Sequence, residues 1–426
     1  MKFFICLSIL MLYTATATAA EEIELDPHLQ IDEVKPADRL SISGFYTLGI
    51  NHNDSASQYI RDLSQSNTHH DRTSAITDSR VGVQLLADFT PQWSAALQVT
   101  ARDGVDYANG DAVDWAFLRY RPNENWSIRA GRLSVDMFML SDFRNVGYTY
   151  PWVRPVQDFY GLIPFFQYNG ADIQYRQQLG DGEIRLKGNM GRISSTLRSA
   201  VGDFRVHGDD LASASLEWSD EHFHLRTSIG QINLQGKVPG TDLLSSGLGQ
   251  LSPFWPSATQ IQQDLKIDGR LKFLLLGASY DNGPWWLQGE WGRVQSETVI
   301  YGHMEGAYIS AAYRIDAFQP YITLSQAKSK NARYRAPLPQ GPLPPPLAAA
   351  SQALAAGANQ FLGSLYTDQQ TYSIGIRWDF RPRMALKFQY DRIHAADGGK
   401  GLWDDGNAQA GPLKANVFSL SFDGLF

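Results

Sequence analysis

Apolar and polar residues alternate with a period of two along most of the chain, in segments of roughly ten residues. The first places Leu40, Ile42, Gly44, Tyr46, Leu48 and Ile50 on one face, interleaved with Ser41, Ser43, Thr47 and Asn51. The next two put Val81, Val83, Leu85, Ala87 and Phe89, then Trp93, Ala95, Leu97, Val99 and Ala101, on one face, and only Thr90-Pro91-Gln92 separates them as a tight hairpin. Similar pairs recur around short turns at 122–125, 180–182, 219–221, 281–284, 315–317 and 381–383. Between the hairpins lie longer connections, at 52–78, 103–111, 134–166, 192–208, 232–268, 295–302, 327–369 and 393–413.

Seven short turns alternating with eight longer loops give about sixteen strands, an even number. That alternation is what a transmembrane barrel shows, with turns on one rim and loops on the other. A sandwich or propeller also carries many alternating strands, but it does not enforce the long-short rhythm or place aromatics at strand ends. Here they cluster where strands meet turns: Phe89 and Trp93, Tyr120 and Trp126, Trp218 and Phe223, Tyr280 and Trp285, Trp378 and Phe380. Headgroup-level girdles are the natural reading. In hydrocarbon every backbone N–H and C=O needs an internal partner, so strands cross a bilayer only as a closed barrel. The expectation is an all-β fold: a transmembrane antiparallel β-barrel of about sixteen strands over residues 39–426.

The mildly negative mean hydropathy, −0.29, fits such a barrel because only alternate residues face lipid. No stretch is long and apolar enough for a transmembrane helix. Lys2, the apolar run from Phe3 to Tyr13 and Ala17-Thr18-Ala19 read as a signal peptide over 1–19, cleaved near Ala19 or Ala20. Cys6, the only cysteine, would leave with it, so the mature chain has no disulfide and no thiolate site. Residues 20–38 are acidic and without periodicity, a short periplasmic lead-in. Net charge is −7, or −8 without Lys2, which makes nucleic acid an improbable partner.

The C-terminal segment Asn416-Val417-Phe418-Ser419-Leu420-Ser421-Phe422-Asp423-Gly424-Leu425-Phe426 alternates back from a terminal phenylalanine. It resembles the closing strand of Gram-negative outer-membrane porins. Ile128-Arg129-Ala130-Gly131-Arg132, followed by the long third loop, resembles the strand before that family's constriction loop. The resemblance implies a sixteen-stranded barrel in the outer membrane of a Gram-negative bacterium, with the third loop, 134–166, folded into the lumen. It also implies a homotrimer that passes small hydrophilic solutes or ions, and a C-terminal strand, ending at Phe426, read by the barrel-assembly machinery. Phe138-Met139-Leu140 and Tyr148-Thr149-Tyr150-Pro151-Trp152 make this third loop more apolar and aromatic than the acidic loop of general cation-preferring porins, so solute preference does not carry over.

Strand phase sends Arg80, Arg102, Arg119, Arg121, Arg129, Arg176, Arg185, Lys187, Arg226, Arg377 and Lys387 inward, with Asp88, Asp172, Glu217, Glu290, Asp379 and Asp391. Basic wall residues outnumber acidic ones, which favours a weak anion preference; the alternative is that these charges pair with one another across the lumen. Asp136, Asp142, Arg144, Arg154 and Asp158 are the charged members of the constriction loop. Tyr148, Tyr150 and Trp152 offer a stacking surface for solute rings, or else pin the loop to the wall. Residues 347–362 read as a small helix, a lid or a ligand-contacting element. His69-His70-Asp71, the pair His222 and His224, and the group Asp397, Asp404 and Asp405 lack a complete ligand set, so no metal or cofactor is expected.

Three functions compete. A passive channel calls for charged lumen walls and a folded-in third loop. A surface-binding or adhesion protein, using loops 232–268 and 327–369, would show an occluded lumen. An outer-membrane hydrolase would need a nucleophile with its base, and no Gly-x-Ser-x-Gly, His-Glu-x-x-His or Ser-His-Asp arrangement stands out, so no enzyme is expected. An energy-coupled transporter would need some 22 strands and a plug that residues 20–38 cannot make.

Overall fold

The computed structural model describes residues 40–65, 72–107, 110–161, 163, 165–197, 204–404 and 411–426. The expected signal peptide and lead-in over 1–38 lie outside these residues, as do His69, His70, Asp71 and Asp405.

Sixteen long strands follow in chain order: β1 Leu40–Asn53, β2 Arg80–Asp88, β3 Trp93–Arg102, β4 Val113–Tyr120, β5 Trp126–Ser134, β6 Gln167–Leu179, β7 Gly182–Leu197 and β8 Phe204–Ser219. Then come β9 Phe223–Gly236, β10 Ile267–Asp281, β11 Trp285–Ser296, β12 His303–Tyr313, β13 Phe318–Ser329, β14 Thr367–Arg381, β15 Met384–Lys400 and β16 Leu413–Leu425. Consecutive strands pair antiparallel, and β1 pairs with both β2 and β16, so the sheet closes into a barrel with the strand number read from the pattern.

Alternation decides what each wall face meets. On β13, Phe318, Ile322 and Leu324 are exposed on the outside, while Gln319, Tyr321, Thr323 and Ser325 are buried inside. Such outer faces recur around the barrel, with Ile42, Val83, Ile173, Met190, Ile229, Ile309 and Ile374 all exposed. Apolar area on that scale costs about 25 cal/mol per Å² in water, so it belongs in hydrocarbon.

At the short-turn rim the aromatic strand ends meet across neighbouring strands. Trp93 lies 4.6 Å from Tyr120, Trp126 4.8 Å from Tyr175, Phe223 4.8 Å from Tyr280 and Trp285 4.7 Å from Tyr313, as ring centroids. Phe318 stacks on Trp378, and Trp378, Phe380, Phe422 and Tyr46 continue the belt to the seam. Most of these pairs are tilted or edge-on, the geometry that aromatic quadrupoles favour, and such amphipathic rings suit the headgroup level.

Several strands outrun the sequence pattern. Residues 192–208 were expected as a loop, yet β7 reaches Leu197 and β8 starts at Phe204. The outer positions there are polar, and Arg192 pairs with Asp209 at 3.5 Å. Apolar alternation ends where the wall leaves hydrocarbon, while the backbone ladder continues. For the same reason β15 extends to Lys400, into the loop expected over 393–413.

Two long loops fold into helices at the same end: α2 Thr241–Leu251 and α3 Ser257–Asp264 between β9 and β10, and α4 Pro345–Ser364 between β13 and β14. Proline suits the first turn of α4, where no N–H is needed. Leu248, Leu251, Trp255, Ala258, Ile261, Ala355, Ala358 and Leu362 give these helices an apolar core of their own. α4 contains the helix expected over 347–362.

The seam depends on the last residue. Phe426 exchanges two backbone hydrogen bonds with Gly44, at 2.7 and 2.9 Å, and its ring lies where a Cβ on Gly44 would be. Replacing Gly44 by Val is expected to cost about 1–3 kcal/mol of barrel stability, the usual range for overpacking. Gly341→Val, where nothing stands within 4 Å, should change stability by less than about 0.5 kcal/mol. Urea titration of the barrel folded in lipid vesicles reads both.

Candidate functional site

The polar inner wall meets a loop of this chain. After Ser134 the third connection turns into the lumen and returns at Gln167, with one short helix, α1 Gln157–Tyr160. Its apolar residues, which no periodicity explains, are buried: Val135, Met137, Phe138, Leu140, Tyr150, Trp152, Val153, Phe159 and Tyr160.

Against β10–β13 the loop packs through rings. Trp152 sits edge-on to Trp286 at 5.4 Å and Tyr308 at 5.6 Å, and Phe159 lies 5.5 Å from Tyr308. The Trp152 indole N–H donates to the hydroxyls of Ser310 and Thr323, and the Met139 backbone N–H donates to Glu290 at 2.9 Å. Glu290 also accepts from Tyr160 and Tyr308. Tyr150 and Trp152 thus pin the loop, while Tyr148 lies under the Arg377 guanidinium at 4.5 Å.

On the adjoining sector of the wall, from β14 round to β2, the contacts are charges and hydrogen bonds. Arg154, 2% exposed, donates to Asp78 at 2.6 and 2.7 Å, to Asp391 at 3.2 Å and to Ser419 at 2.5 Å. Lys387 donates to the Gly147 and Trp152 carbonyls at 2.6 and 2.9 Å and pairs with Asp423 at 3.0 Å. Arg377 reaches the Tyr148 carbonyl at 2.7 Å, and Arg80 reaches those of Asn145 and Asp78 and the Tyr150 hydroxyl. A third sector completes the ring: Asp136 meets Arg226 at 2.7 Å, Lys187 at 3.3 Å and Ser215 at 2.7 Å, and Ser228 donates to the Met137 carbonyl.

The third loop is therefore bonded to the wall on every side. Lumen-facing Lys387, Ser421 and Asp423 are 0% exposed, so water does not reach them. Above it sits part of the first loop: Gln157 donates to the Ile60 and Leu402 carbonyls, and a two-residue strand Gln58–Tyr59 pairs with Trp403–Asp404.

The remaining wall charges lie toward the short-turn end of β4–β9, where the lumen side is only half-buried. Arg129 grips Asp172 with both nitrogens, the closer at 2.6 Å; Arg185 pairs with Glu183 at 3.1 Å and Glu217 at 3.3 Å; Arg226 also pairs with Glu217. Arg119 donates to Ser94, Arg176 to the Glu124 carbonyl, and Arg121 is half-buried beside them. Asp142 is the exposed charge of the third loop. Most of these charges pair with a residue on the adjacent strand of the wall, Arg129 with Asp172 and Arg185 and Arg226 with Glu217, rather than across the lumen. Arg61, Asp62, Asp78 and Gln157 are not marked by the sequence pattern, because the first loop, which carries the first three, and the third loop, which carries Gln157, have no periodicity.

Asp158 is fully buried without a cation, accepting from Ser325 at 2.7 Å and Gln369 at 2.5 Å. Burial pushes its carboxyl up to about 6, against hydrogen bonds that favour the charge.

No protein-family model matches the sequence, and no curated protein matches it. Solved structures do. OmpF of Salmonella typhi, determined in complex with daunomycin, is 10% identical with a TM-score of 0.52, covering 91% of this chain and 97% of its own. Outer-membrane expressed OmpT of Vibrio cholerae is 9% identical (TM-score 0.49; 92% and 100% covered), and the anion-selective porin of Comamonas acidovorans 12% identical (TM-score 0.49; 91% and 99%). The closed sixteen-stranded barrel has the fold of Gram-negative outer-membrane porins. Its apolar exterior and aromatic rim are those of a barrel set in a membrane.

Two outcomes test the docking. Arg154→Met leaves Asp78 and Asp391 facing each other unpaired, and breaking such a buried pair costs about 3–5 kcal/mol; hydrogen exchange should rise in residues 145–160 before the barrel itself unfolds. For Asp158 the docked carboxyl titrates above its free value. Its contribution to docking is full below about pH 4 and is lost as pH rises through about 6. Third-loop protection should therefore fall between pH 4 and 7, and Asp158→Asn should flatten that dependence.

Proposed function

We propose that this chain is a porin-type channel for passive diffusion of small hydrophilic solutes or ions, held here with its third loop across the lumen. The observation that carries this is the asymmetry of the loop's seat. It is packed through rings onto β10–β13, whereas β14–β16, β1 and β2 meet it through side chains that water could satisfy equally. Net hydrogen-bond contributions are small, about 0.5–1.5 kcal/mol each, because water competes for the same groups. The solute path opens on that polar side, with the loop staying on its apolar seat.

A weak anion preference is part of the proposal, supported by Arg119, Arg121 and Arg176 toward the short-turn mouth. So is assembly as a homotrimer in outer-membrane lipid, supported by the fold. Recognition of the terminal strand by the assembly machinery is supported by the outward ladder Phe418, Leu420 and exposed Phe426.

The second reading is a surface-binding protein. The filled lumen and the helical cap of α2, α3 and α4 favour it. Single-channel recording across a salt gradient separates the two. The channel reading expects conductance that rises in Arg154→Met and in a variant lacking residues 145–156, with an anion-biased reversal potential. A silent bilayer with that deletion variant, verified as folded, would leave the surface-binding reading.

A further inference from the structure

Four arginines from four elements line one small cavity in the barrel interior: Arg61 of the first loop, Arg80 of β2, Arg102 at the end of β3 and Arg144 of the third loop. Asp62 is the one acidic residue among the lining side chains, so the lining carries an excess of three positive charges. Asp62 accepts from Arg61 at 3.2 Å and from the Ser64 backbone N–H at 3.0 Å, and its single charge is shared among Arg61, Arg102 and Arg144.

Arg80 is also satisfied, by the two carbonyls and the Tyr150 hydroxyl described above. Arg102 is not. It is 5% exposed, and its Nε and Nη1 are buried without a hydrogen-bond partner among the described residues. Arg144 lies on the Phe166 ring at 3.4 Å, with Arg102 5.1 Å from the same ring. Burial and the neighbouring Arg102 charge push Arg144 down to about 9.

Buried charges are normally paired, and a guanidinium left with free N–H groups beside other guanidiniums is costly. A water would satisfy a hydrogen bond and leave the charge. The cavity is about 20 Å³, just above the roughly 10–15 Å³ that one water needs, so it has no room for a sugar or an organic acid.

We propose that this cavity is a binding site for one small inorganic anion, a halide or a compact oxyanion, which ties the first and third loops to β2 and β3. Its occupant accepts from Arg102 and Arg144 and neutralises the cluster. Because Arg61 and Arg144 sit on loops and Arg80 and Arg102 on the wall, anion binding and loop docking are linked: whatever binds the docked form more tightly stabilises it. The site stands whether or not the barrel conducts.

The test is thermal unfolding of the folded full-length barrel in detergent at constant ionic strength, exchanging sodium gluconate for sodium chloride. Gluconate is too large for the cavity. The unfolding midpoint should rise by several degrees with chloride and saturate, and remain flat in gluconate. Arg102→Gln keeps much of the side chain's reach without the charge; it should abolish the chloride dependence while equalling or exceeding the parent midpoint in gluconate. Arg144→Gln should weaken the dependence. Equal midpoints in chloride and gluconate would overturn the proposal, as would an undiminished chloride response in Arg102→Gln. If that variant does not fold, the comparison of chloride with gluconate on the unaltered barrel decides alone.

Discussion

The whole structure follows from one requirement: a backbone placed in hydrocarbon must find all of its hydrogen bonds within the chain. Closing β1 onto β16 meets it by leaving no edge strand. Closure has a second consequence. A pleated wall with an apolar outer face turns the alternate residues inward, so the interior of a sixteen-stranded barrel is wide and polar. That interior must hold water or protein. In this chain it holds the third loop, with the first loop resting on it, and the inner serines, threonines and glutamines spend their hydrogen bonds on that loop.

Electrostatics follows from the same filling. With the loop in place, Asp78, Asp391, Asp423, Lys387 and Arg154 are removed from water together, and each is tolerable only because another is opposite it. Arg154 is the keystone, a third-loop residue holding one carboxylate from the end of the first loop and one from the wall. Where the complement is incomplete, the structure shows it: Asp158 has hydrogen bonds but no cation, and Arg102 has neighbours of its own sign.

The barrel was legible because period-two alternation is imposed by two different solvents along every strand. Its ends were less so. β7 and β8 extend beyond the last apolar outer residue, and once both faces are polar, as at Arg192 and Asp209, the pattern carries no information about the ladder. Inward-facing charges such as Arg226 and Glu290 were readable from phase alone. Their partners were not, because Asp136 and Met139 reach them through an aperiodic loop. What that loop did announce was its composition: Phe138-Met139-Leu140 and Tyr148 to Trp152 are too apolar to lie in water. They mark a buried segment without saying which wall it meets. Arg61, in a polar stretch of the first loop, gave no such mark.

A permanent plug and a movable one make different demands on chemistry. A plug meant only to fill the barrel is best packed with apolar side chains, since replacing buried ion pairs by hydrophobic groups is often neutral or stabilising. Here the part of the wall that runs from Ile193 and Val206 through Ile232 and Leu271 to Tyr308 carries buried apolar side chains of that kind. The rest presents groups at home both against the loop and against water, and pairs Lys387 with Asp423 and Arg226 with Glu217 within the wall itself. Those pairs do not depend on the loop, so displacing it from that side would strand few charges apart from those that Arg154 holds. An interior arranged in this way lets one segment move while the closed sheet around it keeps every backbone hydrogen bond.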